Sequence, residues 1–331
     1  MNGKQKVSQA IRRVPVEIVP YQIGFTPEAY RKMADYYHEE DFLSALGNCM
    51  EFIDPRPPKV VPRENHVQDE FGVIFNKTKD KEIGVVEEYP VDSGNVNQYA
   101  FPDKEGSGWF TKFDRFTEGG RYNVAQFSHV FFERAWMLYG MENVLSDMIL
   151  NPGAVDDLMD RLLDYFLALV DRACQYRFVD CCYFGDDWGQ QRGLIMGPKL
   201  WRRFIKPRLK ILFDRVRAHG RTVYIHTCGD IREILPDIIE VGVDIYDPFQ
   251  PEVFDIAALK REYGRDITFL GGVSLQRVLP FGTVEEVREE VVRKIDMARS
   301  GGYIVGPSHA LTKDVPAENI VEMVAILKNQ G

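Results

Sequence analysis

The stretch TVYIHTCGDIREILPDIIEVGVDIYDPF, residues 222–249, sets the pattern for the whole chain. Thr222–Cys228 is a short run rich in β-branched and aromatic residues, the composition of a buried strand. Ile231–Glu240 follows with a helical pattern that stops at Gly242, and Val243–Phe249 is strand-like again. Strand, helix and strand joined by loops of a few residues make a parallel βα unit.

The same unit recurs on both sides. Phe178–Gly185, Ile267–Val273 and Tyr303–Pro307 read as further strands, with helices predicted from about Pro198 to His219 and over Ile256–Tyr263, Val284–Ser300 and Ala317–Lys328. Upstream, Asn151-Pro152 opens a helix reaching about Gln175. Tyr122–Phe127 reads as a strand, Phe132–Tyr139 as a helix, and Thr26-Pro27 opens a helical pattern through about Leu46. The tally favours an α/β fold of the (β/α)8 TIM-barrel type over an open sheet. Residues 54–120 do not fit the alternation. Pro55, Pro57, Pro58 and Pro62 mark irregular chain, and Glu70–Asn76 with Val85–Tyr89 look like an antiparallel excursion. That segment is too long for a bare loop, so it is expected to decorate a single barrel domain spanning residues 1–331.

Length and composition bound the function. At 331 residues the chain has room for about two average domains, or for one barrel. Apolar residues at 45% and charged residues at 27% are the proportions of a globular protein and exclude disordered, collagen-like and coiled-coil classes. The excess of 50 acidic over 41 basic residues, −9, argues against a nucleic-acid or anionic-membrane surface. The N-terminus lacks the apolar stretch of a secretory signal, and no run is long enough to span a membrane. Five scattered cysteines fit free thiols in a reducing cytoplasm.

In a parallel barrel, chemistry gathers where the strands end. These strands end in Asp186-Asp187-Trp188, in His226-Thr227-Cys228, in Asp247-Pro248-Phe249-Gln250, in Val273-Ser274 and in Ser308-His309. His226 and Cys228 share a strand face, and a bend at Gly229 would aim both at one point. With His309 they make a nitrogen and sulfur donor set suited to Zn2+; the plainer alternative is a hydrogen-bonded histidine beside a buried thiol. Asp186 and Asp187 suit an acid/base pair or a further metal ligand, or else a turn capping backbone amides. Trp188, Gln250 and Ser274 are candidates for the substrate wall.

These residues resemble the uroporphyrinogen decarboxylase superfamily, including its branch of corrinoid-dependent methyltransferases. The resemblance is carried by Phe132-Glu133-Arg134-Ala135 with Leu138 and Gly140, then by Phe184–Gly189, His226–Gly229, Gly242-Val243-Asp244, Phe269–Val273 and Gly301–His309. It covers roughly residues 120–328. It implies one (β/α)8 barrel, cytoplasmic and often dimeric. The decarboxylases carry an N-terminal Arg-Gln-Ala-Gly-Arg segment, where this chain has Arg12-Arg13-Val14-Pro15. The zinc methyltransferases carry a His-x-Cys pair and a later Cys; here His226 and Cys228 match and His309 stands at the later position.

The expectation is therefore a methyltransferase moving a methyl group from a small donor, preferably an aryl methyl ether, to cobalt. Its corrinoid would be carried by a separate protein, since the chain shows no cobalamin-binding segment of its own. A metal-free decarboxylase of a small carboxylated substrate is the runner-up, and a non-catalytic binding protein on the same barrel is the third reading.

Overall fold

The computed structural model describes residues 1–330 except Ile83, Ser93, Gly94, Asn97 and Ser107. Seven parallel strands lie in chain order around one sheet: β1 (Met50–Ile53), β2 (Tyr122–Ser128), β3 (Cys181–Gly185), β4 (Thr222–His226), β5 (Ile245–Phe249), β6 (Thr268–Val273) and β7 (Tyr303–Pro307). The eighth stave is the short segment Pro20–Gln22. Val305 N donates to Pro20 O and Gln22 N to Val305 O, both at 3.0 Å, while Cys49 N donates to Tyr21 O at 3.1 Å on the other side. The segment thus bridges β7 and the approach to β1, and the barrel closes. It never becomes a full strand because Pro20 has no amide proton and Ile23 N turns instead to Asn48 Oδ1 at 2.9 Å.

Helices cover the outside of the sheet. The long helix Pro152–Gln175 buries a continuous stripe that includes Val155, Leu162, Phe166, Leu169 and Ala173. The helix expected from Pro198 to His219 is two helices, Gly197–Phe204 and Lys206–Ala218, broken at Ile205. Pro207 lacks the amide that would bond back to the preceding turn. Its basic residues are paired: Arg202 and Lys206 meet Asp237, and buried Arg208 meets Asp156 and Asp160. The helix opened by Thr26 ends at Tyr37, where His38 turns into the left-handed region, and a 3-10 turn spans Phe42–Leu46. The amphipathic helix Gly3–Ile11 plugs the bottom of the barrel. Its Val7 and Ala10 pack with Met50, Val124, Ile245 and Ile304, and Ala10 O accepts from Gly302 N at 2.9 Å.

Residues 54–120 leave the barrel at the end of β1. They hold a three-stranded antiparallel sheet of His66–Gln68, Ile74–Asn76 and Val85–Glu88, one strand more than the sequence pattern showed. The layer is pinned to the helices by a buried ion pair, Arg134 Nη1 to Asp69 Oδ2 at 2.5 Å, with the guanidinium over the Phe71 ring. Phe71 and Phe101 also meet Tyr165 edge-on.

Candidate active site

The barrel encloses a cavity of about 260 Å3 that draws on all eight staves: Gln22, Phe52, Gln126, Tyr183, Tyr224 and His226, Asp247, Leu270 and Pro307, with His309 just beyond β7. Strand register explains its layers. Gln126, Tyr183 and Tyr224 are partners across β2, β3 and β4, and one pleat higher Gly185, His226 and Asp247 are partners across β3, β4 and β5. Alternate residues share a face, so Tyr224 and His226 both point inward. Phe52, Tyr183 and Tyr224 meet edge-to-face, with centroids 4.9–6.1 Å apart, and form an aromatic floor.

The metal-competent residues stand on this floor. Cys228 lies two residues past the end of β4, in a turn made at Gly229, whose φ is +85°. A Cβ at Gly229 would overlap the backbone of Gly189, so only glycine lets the two strand exits pack this closely. His226 Nδ1 lies 3.0 Å from Asp247 Oδ1 and its Nε2 lies 3.5 Å from Cys228 Sγ. His309 completes the group, with one ligand atom from each residue within 4.8 Å of the others. Around a tetrahedral Zn2+ with bonds of about 2.1 and 2.3 Å, adjacent nitrogen and sulfur donors sit about 3.6 Å apart. The His226–Cys228 spacing meets that requirement, and the carboxylate on Nδ1 leaves Nε2 for the metal. Asp187 adds an oxygen 3.7 Å from His226 Nε2, and the same oxygen accepts from Cys228 N at 2.8 Å.

The fields at the cluster are mixed. Burial disfavours the imidazolium of His226, but Tyr183, Asp247 and Cys228 outweigh it and hold its pKa well above the usual value. Burial pushes the Cys228 thiol up against the pull of His226, and burial together with His226 pushes His309 down. Burial also raises Tyr224, which is hydrogen-bonded to Asp247.

The other sequence candidates occupy different places. Asp186 is fully buried and outside the cavity lining; its carboxylate accepts from Phe132 N at 3.0 Å, Glu133 N at 2.7 Å and Trp188 Nε1 at 2.6 Å. It therefore anchors the N-terminus of the helix Phe132–Tyr139. Burial and the nearby Glu133 push its pKa up to about 7, against those hydrogen bonds. Trp188 is buried against Trp201, Gln250 Oε1 accepts from Gly229 N at 2.9 Å, and Ser274 Oγ donates to Glu252. None of these three lines the cavity. Gln22, Phe52, Gln126, Tyr183 and Tyr224 do, and the sequence pattern had not singled them out. Stepping back by twos from His226 would have found Tyr224, because inward residues repeat with that period.

Comparison with known proteins agrees with this architecture. The uroporphyrinogen decarboxylase (URO-D) family model matches residues 68–330. A methylated-thiol–coenzyme M methyltransferase of Methanosarcina mazei is 25% identical over 134 residues, which are 40% of this chain and 34% of that protein, so the match spans about a third of the relative's length. A solved methyltransferase structure from Methanosarcina mazei superposes with a TM-score of 0.77 at 15% identity, covering 100% of this chain and 99% of that one, and shares the barrel fold. With the family model matched across most of its length, the chain belongs to the uroporphyrinogen decarboxylase family.

Proposed function

We propose that this protein is a methyltransferase that takes a methyl group from a small methylated donor, preferably an aryl methyl ether, and passes it to the cobalt of a corrinoid carried by a separate protein. One observation carries the reading: His226 Nε2, Cys228 Sγ and His309 converge at the rim of a cavity that opens on all eight staves. A zinc ion held by these three residues would supply Lewis acidity to the ether oxygen. The names of the two Methanosarcina relatives support methyl transfer as the reaction class.

The chain's own residues do the rest. Asp247 fixes the ring of His226, with Tyr224 bonded to the same carboxylate. Asp187, tied to the Cys228 amide, keeps a carboxylate beside the cluster without closing the cavity. The aromatic floor orients a flat ring and excludes water from it. Asp186 belongs in this reading to the support of the site, while Trp188, Gln250 and Ser274 brace the strand exits. The chain works as one barrel with residues 54–120 as its cover. A homodimer in the cytoplasm completes the proposal; among the described residues no helix is long and apolar enough to cross a membrane.

Metal analysis with an activity assay tests it. One zinc per chain is expected, together with demethylation of methoxyarenes in the presence of reduced corrinoid. His226→Ala and Cys228→Ala should lose metal and turnover together. Full turnover in metal-free protein would overturn the zinc assignment, and no methyl transfer from any methoxyarene would overturn the donor.

A further inference from the structure

The cavity wall carries information about charge as well as shape. Its lining contains no lysine or arginine among the described residues, and Asp247 places a carboxylate in it. The polar groups that the protein leaves unengaged there are neutral. Gln22 Oε1 accepts from Met50 N at 3.0 Å, leaving its NH2 group without a protein partner. Gln126 has only a 3.5 Å contact from Nε2 to Ser128 Oγ, leaving its carbonyl oxygen as an acceptor. Tyr183 stands beside Gln126 in register and brings a hydroxyl, and its ring forms the aromatic floor with Phe52 and Tyr224.

An aromatic ring fits between edge-to-face neighbours. A phenolic hydroxyl, both donor and acceptor, matches an amide donor, an amide acceptor and a tyrosine. With His226 Nε2 on the metal and therefore unprotonated, a ring carboxylate would shed its water with no side-chain cation to replace it, next to a resident acid. A metal held at the rim would serve the ether oxygen, so a carboxylate elsewhere on the ring would face only neutral amides, a tyrosine and Asp247. At about 260 Å3 the cavity also lies below the roughly 300–1,000 Å3 of pockets for drug-sized ligands, a size that suits a donor with a single small ring.

We propose that the donor is an uncharged methoxyphenol, its free hydroxyl bound by Gln22 and Gln126, and that the cavity rejects methoxybenzoates. The inference rests on the aryl methyl ether reading above and sharpens it to a charge class.

Calorimetric titration of the zinc-loaded protein at neutral pH with ortho-methoxyphenol and with meta-methoxybenzoate tests it without any turnover. The phenol should bind at least about 10-fold more tightly than the benzoate. Gln126→Ala should weaken the phenol by about 5-fold, the worth of one neutral hydrogen bond, and leave methoxybenzene unchanged. Gln126→Arg should bring in the benzoate. Equal or tighter binding of the benzoate by the wild-type protein overturns the charge selection while leaving the aryl ether reading intact. An unchanged phenol affinity in Gln126→Ala overturns the hydroxyl contact. Binding of neither compound overturns the aryl ether reading itself.

Discussion

Replacing Asp186 with alanine separates structure from chemistry at the exit of β3. The carboxylate accepts three buried donors, the amides of Phe132 and Glu133 and the indole of Trp188, at 2.6–3.0 Å. Each buried donor left unpaired costs about 1–3 kcal/mol, and loss of a helix cap costs about 1 kcal/mol. Part of the cost is recovered as the first helical turn relaxes, so the expected loss is about 3–5 kcal/mol. At roughly 2 °C per kcal/mol for a chain of this size, the thermal midpoint should fall by about 6–10 °C. Asp186→Asn keeps one accepting oxygen but turns an NH2 toward donors, and should fall between wild type and alanine. Differential scanning calorimetry gives the midpoint, and zinc content measured on the same samples should stay at the wild-type value. An alanine variant with wild-type stability and metal but no turnover would refute the capping argument and make Asp186 a catalytic group.

Asp247→Ala removes the acceptor on His226 Nδ1 and should weaken zinc binding by about 10–100-fold, read by competition with a chelating dye; unchanged affinity would mean that the ring is held by packing alone. Asp237, away from the cavity lining, gives a prediction about pH. Burial would raise its pKa, but hydrogen bonds from Arg202 and Lys206 outweigh it and hold the carboxyl below its ordinary value. A carboxyl depressed in the folded state stabilises above its unfolded pKa and loses that contribution as pH falls through the folded one. Asp237→Asn should therefore lower the thermal midpoint at neutral pH, and the gap from wild type should close in acid.

The strands from β3 onward were legible because each is a mostly apolar run with glycine or proline within or close to it, the mark of a sheet buried on both faces. β1 was not, since Met50–Ile53 is four residues long and carries Glu51. The eighth stave is invisible in local sequence because its partners lie near Val305 and Cys49. At the site, His226, Cys228 and His309 were readable from their places at strand ends. Asp247 stood in the same view, but its role depends on lateral register with His226, which no spacing along the chain encodes. Asp186 and Asp187 show the limit most directly. They are neighbours in sequence, yet one turns to a helix end and the other to the Cys228 amide.

The seam at Pro20–Gln22 has a consequence for the order in which the protein is assembled. Gln22 bonds to Val305, and Val19 N bonds to the side chain of Gln330 at 2.8 Å, so residues near position 20 wait for partners made much later. During synthesis the early staves have neighbours on one side only, and their open edge is the surface most prone to mispairing. The helix Gly3–Ile11, which caps the floor through Ala10 and Gly302, is likewise without its full seat until β7 arrives. Closure is thus a late, long-range event, and the ring that lines the cavity comes into being as a whole.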